Sequence, residues 1–489
     1  MLCPPAIAQN QLPALGDGGE ISAAAERQIG DRIARELYRD PDYLDDPILD
    51  EYVLGIWNAL LAAARNRGEL SPELEERFAW TVLLGRDGSV NAFALPGGYL
   101  GLHLGLIGVV NSRDELASVL AHELTHVTQR HISRLMAQQN RQTPLMIGAL
   151  ILAALAASKS PEAANAVLTG GQALAAQNQL NFSRDMEREA DRVGFGVMAQ
   201  AGFEPRGFVT MFEKLQQASR LNDNGSFPYL RSHPLTTERI GDMQARIALA
   251  GAPPGPQEPI MAHAMLAARA RVLSYPGVDL LRAWAKEPDL PAFATLSPAR
   301  RAAVLYAAAL SAERLRDHGR ATAWARRLLV VTAGNPEAAR QARLLAADIA
   351  LAANNLGLAA SLIDTAVPAG GLPRPELLQL TQLRVREGKP ELAVDPLQTW
   401  VTKYPMDAAA WQALAAAHRA QNQLLRAIRA EGEVQMARLD YAGAVDRFKA
   451  ARTLSAKGSL EAADHIEASI IDTRLRVAES RLREQALQR

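Results

Sequence analysis

Residues 112–128 read SRDELASVLAHELTHVT. Ser112 followed three residues later by Glu115 is typical of a capping box, which marks the start of a helix. The apolar residues that follow recur at helical spacing and form one stripe: Leu116, Leu120, Leu124 and Val127. The stretch therefore predicts a helix that packs one face against a core.

The same helix carries His122-Glu123-Leu124-Thr125-His126, the pattern HExxH. At about 100° per residue, the two histidines lie one turn apart on one face, where a single zinc ion can contact both. Glu123 projects beside the pair, so its carboxylate can take a proton from a water molecule that the metal activates. The pattern predicts a zinc site, and the alternative is a helix with two solvated or capped histidines.

A catalytic zinc site needs a third protein ligand. The metzincin pattern requires glycine and histidine where this chain has Gln129 and Ile132, so His131 is expected beside the site or at the surface. Glu187 and Asp191 lie four residues apart at the start of a predicted polar helix. One of them can bind the metal while the other orients a ligand histidine through its second ring nitrogen.

The strongest β signals precede the HExxH helix. Two predicted strands, 78–84 and 90–95, flank Asp87-Gly88, which is typical of a hairpin turn. Pro96-Gly97-Gly98 is a second break, and 99–103 is a third predicted strand. An extended peptide is expected to bind the sheet edge through main-chain hydrogen bonds, and a simple core hairpin is the alternative. The predicted edge residues are Asn91, Ala92 and Phe93.

Composition narrows the class of protein. The 489 residues are too many for one ordinary core and suggest at least two domains. Lys plus Arg and Asp plus Glu both number 53, and this balance argues against nucleic-acid binding. Cys3 is the single cysteine, so a cysteine-based zinc site and an internal disulfide are excluded.

Two segments of the sequence concern the location of the protein in the cell. Ala6-Ile7-Ala8 is similar to the small-residue end of a secretory signal, and residues 1–8 are interpreted as a signal remnant, with chance as the alternative. The longest apolar run, 145–157, is shorter than the roughly 20 residues that span a bilayer. It is expected to be a buried or interfacial helix that contacts a membrane at most without crossing it.

The predicted fold class is mainly α with a small β-sheet. After about residue 260, helix pairs such as 302–331 and 337–366 recur at roughly 30 to 40 residues, close to the tetratricopeptide period. Glycine and proline mark a linker before them. We predict a catalytic domain at 9–250, a linker at 251–260 and a helical repeat domain at 261–489.

Four segments resemble, in order, the M48 family of zinc peptidases. Asn91–Tyr99 (NAFALPGGY) resembles the family's strand and PGG turn, and Glu115–His126 resembles its zinc helix. Ser183–Asp191 (SRDMEREAD) resembles its third-ligand motif. Ser232-His233-Pro234 with Arg239-Ile240 resembles its HPxxxxRI segment. The match covers roughly residues 20–250, and the helical tail resembles a periplasmic subgroup by architecture more than by residues.

This resemblance implies a gluzincin-like metallopeptidase domain with one Zn²⁺ per chain, followed by a TPR-like repeat domain. It also favours Glu187 over Glu189 as the third ligand. The residues that it assigns are the zinc ligands His122, His126 and Glu187, the general base Glu123, and Asp191, which would orient a ligand.

Two more residues are predicted at the site. Arg239 is expected to face the cleft and hold a substrate carbonyl or the developing oxyanion, and an ion pair with the polar helix is the alternative. His233, in a loop, is expected to act as a fourth ligand that keeps the enzyme latent. The alternative for His233 is a capping or buried structural histidine.

These expectations describe an endopeptidase for unfolded or misassembled proteins, with repeats that recruit a partner or substrate. The resemblance implies quality control of outer-membrane proteins in the periplasm, with the β-barrel assembly machinery as partner. The competing interpretation is a chaperone or assembly scaffold whose zinc site is structural or silenced. Glu123 distinguishes the two, because a structural site needs no general base.

Overall fold

The computed structural model describes seven ranges of the chain: residues 21–138, 183–220, 227–250, 260–274, 277–363, 371–457 and 462–487. Within them, helices surround one four-stranded sheet, and the predicted fold class is confirmed. The predicted signal remnant, the apolar run 145–157 and nearly all of the linker lie outside the described residues. The proposed domain boundaries stay a prediction.

The sheet contains β1 (Tyr43–Leu44), β2 (Thr81–Gly85), β3 (Ala92–Leu95) and β4 (Tyr99–His103) in the order β1-β2-β4-β3. β2 runs parallel to β4, while β3 is antiparallel to β4 and forms an edge. The predicted hairpin of residues 78–84 with 90–95 is therefore wrong. The predicted strand 99–103 is confirmed as β4, β2 and β3 are shorter than predicted, and the two-residue β1 was not anticipated.

The break predicted at Pro96–Gly98 is the tight turn of the sheet, whereas Asp87-Gly88 does not form a hairpin turn. Gly97 and Gly98 have φ values of 73° and 84°, a region that favours glycine. A Cβ on Gly97 would lie 2.7 Å from Cα of Arg27, so the close approach of the first helix also requires glycine. This turn folds β3 back onto β4 and leaves β3 at the edge.

The HExxH stretch forms α5, Arg113–Thr128, and every residue from Glu115 to Thr128 is buried. Ser112 accepts a hydrogen bond from the Glu115 backbone, as the capping box predicts. The Glu115 carboxylate instead accepts from the backbone of Asn111 at 2.6 Å, one residue before the cap. The other helices of this half of the chain are α1 (Ala23–Arg39), α2 (Pro47–Asn66), α3 (Pro72–Arg77), α4 (Leu104–Val109), α6 (His131–Gln138), α7 (Arg184–Gln200), α8 (Arg206–Arg220), α9 (Tyr229–Ser232) and α10 (Thr237–Ala250).

α7 packs closely against α5. Gly194 permits this approach, because a Cβ there would lie 3.1 Å from the carbonyl oxygen of Ala121 and 3.3 Å from the His122 nitrogen. Ser183 caps α7 by accepting from the backbone of Met186. The polar start of α7 is thereby held opposite the two histidines of α5.

The second half of the chain is helical in every described segment, apart from short 3₁₀ turns and connections. Turns at Arg316, Asn354 and Asn422 separate successive helices, and we call this region the repeat-like half, although its tetratricopeptide character stays a prediction. Within the described ranges, no helix combines the length and apolar character needed to cross a membrane. Its helices are α11 (Met261–Ser274), α12 (Val278–Lys286), α13 (Pro298–Arg314), α14 (His318–Thr332), α15 (Pro336–Ala352), α16 (Leu356–Ile363), α17 (Arg374–Arg386), α18 (Glu391–Lys403), α19 (Ala408–Ala420), α20 (Leu424–Ala437), α21 (Tyr441–Lys457) and α22 (Ala462–Ala486).

Buried ion pairs join the two halves. Arg269 on α11 forms a bidentate salt bridge with Asp46, which caps α2. Arg374 on α17 contacts Asp45 at 2.6 Å and Asp50 at 3.0 Å. Both arginines are largely buried, and removing one partner of such a pair is costly. The repeat-like half is thus packed directly on the half that carries the HExxH helix.

Candidate metal centre

Donor atoms of four buried side chains converge beside α5. The Nε2 atoms of His122 and His126 lie 3.0 Å apart. Glu187 on α7 approaches both, with Oε2 3.5 Å from Nε2 of His122 and Oε1 3.4 Å from Nε2 of His126. His233, directly after α9, places Nδ1 2.9 Å from Oε1 of Glu187. One donor atom from each of the four residues lies within 4.8 Å of the other three.

The chemistry of this donor group fits a zinc ion. Two imidazoles with one carboxylate are a common protein ligand set for zinc in hydrolases. Glu123, Glu187 and Asp191 place three buried carboxylates here, and Arg239 supplies one guanidinium. A divalent cation offsets the remaining negative charge, which would otherwise be expensive to bury.

The electrostatics of the group favour positive charge at its centre. Burial alone would lower the pKa of His122, but hydrogen bonds to Asp191 and Glu187 outweigh burial and raise this pKa to about 9. Burial opposes ionisation of Glu187, yet contacts with His233 and the two helix histidines hold its pKa well below the usual value. Burial lowers the pKa of His126 well below its usual value, and this imidazole keeps a lone pair for a metal.

Asp191 and His131 hold the two helix histidines in orientation. Nδ1 of His122 donates to Oδ1 of Asp191 at 2.9 Å, which directs Nε2 toward the donor group. Nδ1 of His126 lies 2.9 Å from Nδ1 of His131, whose Nε2 donates to Glu189 at 3.0 Å. His131 is therefore buried beside the site rather than at the surface. The contact of His131 with Glu189 was not predicted from the sequence. The short spacing between His126 and His131 indicated only that His131 could lie near the site.

Arg239 does not face an open cleft, and that expectation is corrected. Its side chain is 4% exposed. Nε and Nη2 donate to the two oxygens of Asp191 at 2.6 and 2.8 Å, and Nη1 lies 2.7 Å from Oε2 of Glu187. The planar fork of a guanidinium suits two carboxylates at once. The ion-pair alternative is therefore the observed arrangement.

Glu123 joins the donor group to the edge of the sheet. Its Oε2 accepts a hydrogen bond from the backbone of Ala94 at 2.9 Å. Its Oε1 is buried and has no hydrogen bond within the described residues. This second oxygen, 3.4 Å from Nε2 of His233, is the atom available to take a proton.

Only some residues of the predicted edge strand direct their main-chain groups away from β4. The carbonyl oxygen of Asn91 accepts from the His103 backbone at 3.0 Å, so Asn91 faces β4. Because backbone direction alternates along a strand, Phe93 also faces β4, and Ala92 and Ala94 face the free edge. Ala92 is thus the one predicted edge residue whose main chain faces away from β4, and it is fully buried in this structure.

Tyr229 is a site residue that sequence reasoning missed. Its ring stacks on that of His233 with centroids 4.6 Å apart, and its backbone donates to the carbonyl oxygen of Val90 at 3.3 Å. Burial and the nearby carboxylates of Glu123 and Glu187 raise the pKa of Tyr229 well above its usual value. Nothing in the sequence pattern indicated that this tyrosine would hold the His233 loop against the β3 segment.

Comparison with known proteins agrees with this geometry. Residues 67–247 match the model of Peptidase family M48. The beta-barrel assembly-enhancing protease of Escherichia coli (strain K12) is 30% identical over 469 residues, 92% of this chain and 89% of that protein. A putative beta-barrel assembly-enhancing protease of Vibrio cholerae is 36% identical over 304 residues, and the match spans 60% of each chain.

A more distant likeness extends beyond bacteria. The mitochondrial metalloendopeptidase OMA1 of Arabidopsis thaliana is 32% identical over 164 residues, 34% of this chain and 31% of that protein. The matched region of the family contains α5 and α7, which carry the convergent histidine and glutamate donors. The chain therefore belongs to peptidase family M48 and is a zinc metalloprotease.

Proposed function

We propose that this enzyme cleaves unfolded or misassembled outer-membrane proteins in the periplasm, as part of their quality control. The names of the bacterial relatives, beta-barrel assembly-enhancing proteases, support the substrate class and an envelope location. The observation that carries the proposal is the hydrogen bond between Glu123 and the edge strand. It places the candidate base directly beside backbone groups that an extended, unfolded peptide can pair with.

In this proposal, His122, His126 and Glu187 would hold the zinc ion, which would act as a Lewis acid when bound. Glu123 takes the proton from water through Oε1 and later passes it to the leaving amine. Its other oxygen stays bonded to Ala94, so the carboxylate keeps its orientation during the transfer. A base held in this way needs no reorganisation at the moment of reaction.

Substrate selection follows from the free edge of β3. Ala92 is fully buried here, so the α9 segment has to be displaced before Ala92 and the carbonyl group of Ala94 can add a peptide strand. That peptide must be extended and unpaired. A folded β-barrel has no such strand to offer, because closure of a barrel removes its edges. The repeat-like half would dock a partner or a substrate. The β-barrel assembly machinery is the partner we propose, on the basis of the relatives' names.

The substrate proposal predicts that an outer-membrane β-barrel protein is cleaved when urea-unfolded and diluted into the assay, and resists cleavage once folded in detergent micelles. We expect initial rates to differ by at least about tenfold, because binding at the edge requires an unpaired strand. Gel electrophoresis of both forms measures this ratio. Equal rates for the folded and unfolded forms would contradict edge-strand selection, and trypsin serves as the control for general accessibility.

His233 is proposed to act as a gate. Its Nδ1 lies 3.3 Å from Nε2 of His122 and 2.9 Å from Oε1 of Glu187, where a water molecule or a substrate carbonyl would need to approach. Its buried position and the stacked ring of Tyr229 support a stable closed state. Displacement of the α9 segment would free this place and open the site to the peptide.

We expect His233→Ala to raise the initial rate on an unfolded substrate, by up to about tenfold if the open state is populated one time in ten. The reason is that the variant no longer supplies the competing nitrogen donor. The rate is measured with saturating zinc, and His465→Ala, at an exposed histidine on α22, is the matched control. An unchanged or lower rate in His233→Ala would argue against latency.

A further inference from the structure

A basic cleft lies far in sequence from the zinc site, between α1 and α22. Its volume is about 490 Å³, and five arginines line it. We call this feature the arginine cleft and define it by those residues: Arg27, Arg32, Arg35, Arg77 and Arg481.

The cleft arises from the helical spacing of its residues. Arg27, Asp31 and Arg35 are four residues apart on α1 and share one face, while Arg481 and Glu484 share one face of α22. The apolar residues of α1, such as Ile29 and Ile33, lie on the other side and pack into a core. The arginines therefore lie on the face of α1 opposite this core, although Arg27 also stacks on the Tyr99 ring and donates to the Arg77 carbonyl oxygen at 3.0 Å.

The two carboxylates that line the cleft do not neutralise it. Asp31 already accepts from Nε of Arg27 at 2.5 Å and from the hydroxyl of Tyr99 at 2.8 Å. Glu484 pairs with Arg481 at 3.1 Å, a local contact between exposed side chains. The five arginines and two carboxylates of the lining carry a net charge of +3, and Glu73 offsets part of it by pairing with Arg77 at 3.4 Å from outside the lining.

Electrostatic repulsion among these neighbouring guanidinium groups is unfavourable. Arg35 is 15% exposed, and its nearest carboxylate, Glu36, lies 3.7 Å away, beyond hydrogen-bond distance. Burial and the neighbouring guanidinium groups of Arg39 and Arg32 lower the pKa of Arg35. An anion in the cleft would relieve that repulsion, because guanidinium groups bind oxyanions through paired hydrogen bonds.

We propose that the arginine cleft is a binding site for a phosphate group, either a free phosphate ester or the headgroup of an anionic phospholipid. Its donors are side-chain guanidinium groups that approach from three elements: α1, the end of α3 and α22. This arrangement suits a compact, tetrahedral anion that accepts several hydrogen bonds at once. The inference does not depend on the proposed peptidase substrate.

The walls of the cleft argue against an extended acidic peptide as the ligand. α1 and α22 are helices, so their backbone N–H and C=O groups are used within the helices and cannot pair with a peptide main chain. The polar groups presented to the cleft are side chains, and cations predominate among them.

A bound phosphate would also bridge the two halves of the chain. α1 belongs to the half with the zinc site, and α22 is the last described helix of the repeat-like half. These halves already meet nearby through the ion pair of Arg39 with Asp440 at 3.0 Å. The cleft is therefore placed where an anion strengthens the contact between the halves.

Calorimetric titration of the zinc-loaded full chain with glycerol 3-phosphate at 150 mM salt tests the proposal. We expect saturable binding of one molecule per chain. The double variant Arg77→Gln/Arg481→Gln should bind at least tenfold more weakly. Both side chains are about half exposed, so this variant is expected to fold normally. Arg282→Gln is the matched control, because Arg282 forms the same kind of local pair, with Asp279.

Vesicles identify the source of the phosphate. The lipid headgroup is supported if the protein sediments with phosphatidylglycerol vesicles and not with phosphatidylcholine vesicles. The double variant should then fail to sediment with phosphatidylglycerol vesicles. Binding of glycerol 3-phosphate without vesicle binding supports the free ester. The proposal is overturned if glycerol 3-phosphate does not bind, if it binds the double variant equally well, or if a tetraglutamate peptide binds as tightly.

Discussion

The Glu123→Gln variant is expected to lose peptidase activity while retaining its zinc. We expect kcat/KM on an unfolded substrate to fall by about 10²–10⁴-fold, the contribution typical of a positioned general base. Glutamine has nearly the same shape and can still accept the hydrogen bond from Ala94, but it cannot take a proton from water. Activity and zinc content are measured on the same preparations, the latter by elemental analysis.

The matched control is Glu238→Gln, which makes the same chemical change at a largely exposed position outside the donor group. Its activity should equal that of the wild type. Loss of zinc in Glu123→Gln would make the activity comparison uninformative about proton transfer and would contradict the expected site geometry. Equal cleavage by Glu123→Gln and wild type would favour a chaperone or scaffold whose zinc site is structural.

The Arg239→Met variant is expected to be strongly destabilised. Methionine removes the guanidinium that contacts Asp191 and Glu187, so two buried carboxylates lose their cation. Breaking a buried pair of this kind typically costs about 3–5 kcal/mol, a large share of the roughly 5–15 kcal/mol that stabilises a folded protein. Urea unfolding of the zinc-loaded proteins measures the free energy, and chelator competition measures zinc affinity, which should also fall.

Two further variants test the reason for this effect. Arg188→Met removes an exposed arginine from the same helix as Asp191 and should change stability by less than about 1 kcal/mol. Arg239→Lys keeps the charge but not the two-pronged contact, so an intermediate loss is expected. A large fall in kcat for Arg239→Met without a loss of stability would instead restore the substrate-binding role expected from the sequence.

The strand order illustrates what sequence patterns can and cannot predict. The strand signals before α5 correctly indicated a small sheet, because β-branched and aromatic residues with bounding turns are local features. They did not reveal that β4 lies between β2 and β3. The turn predicted at Pro96–Gly98 is observed, and α1 lies close enough there to require glycine at Gly97. The parallel pairing of β2 with β4 excludes the hairpin at Asp87-Gly88, and that long-range pairing is not visible in local sequence patterns.

The sequence by itself determined the geometry of His122, Glu123 and His126, because helical periodicity alone places three such residues on adjacent faces of one turn. It also located Glu187 and Asp191 on a second helix. Only the tertiary structure decided that Asp191 contacts His122, that His131 connects His126 to Glu189, and that Arg239 lies buried between carboxylates. Those contacts join residues on different elements, and the packing of α7 on α5 at Gly194 is what brings them within reach.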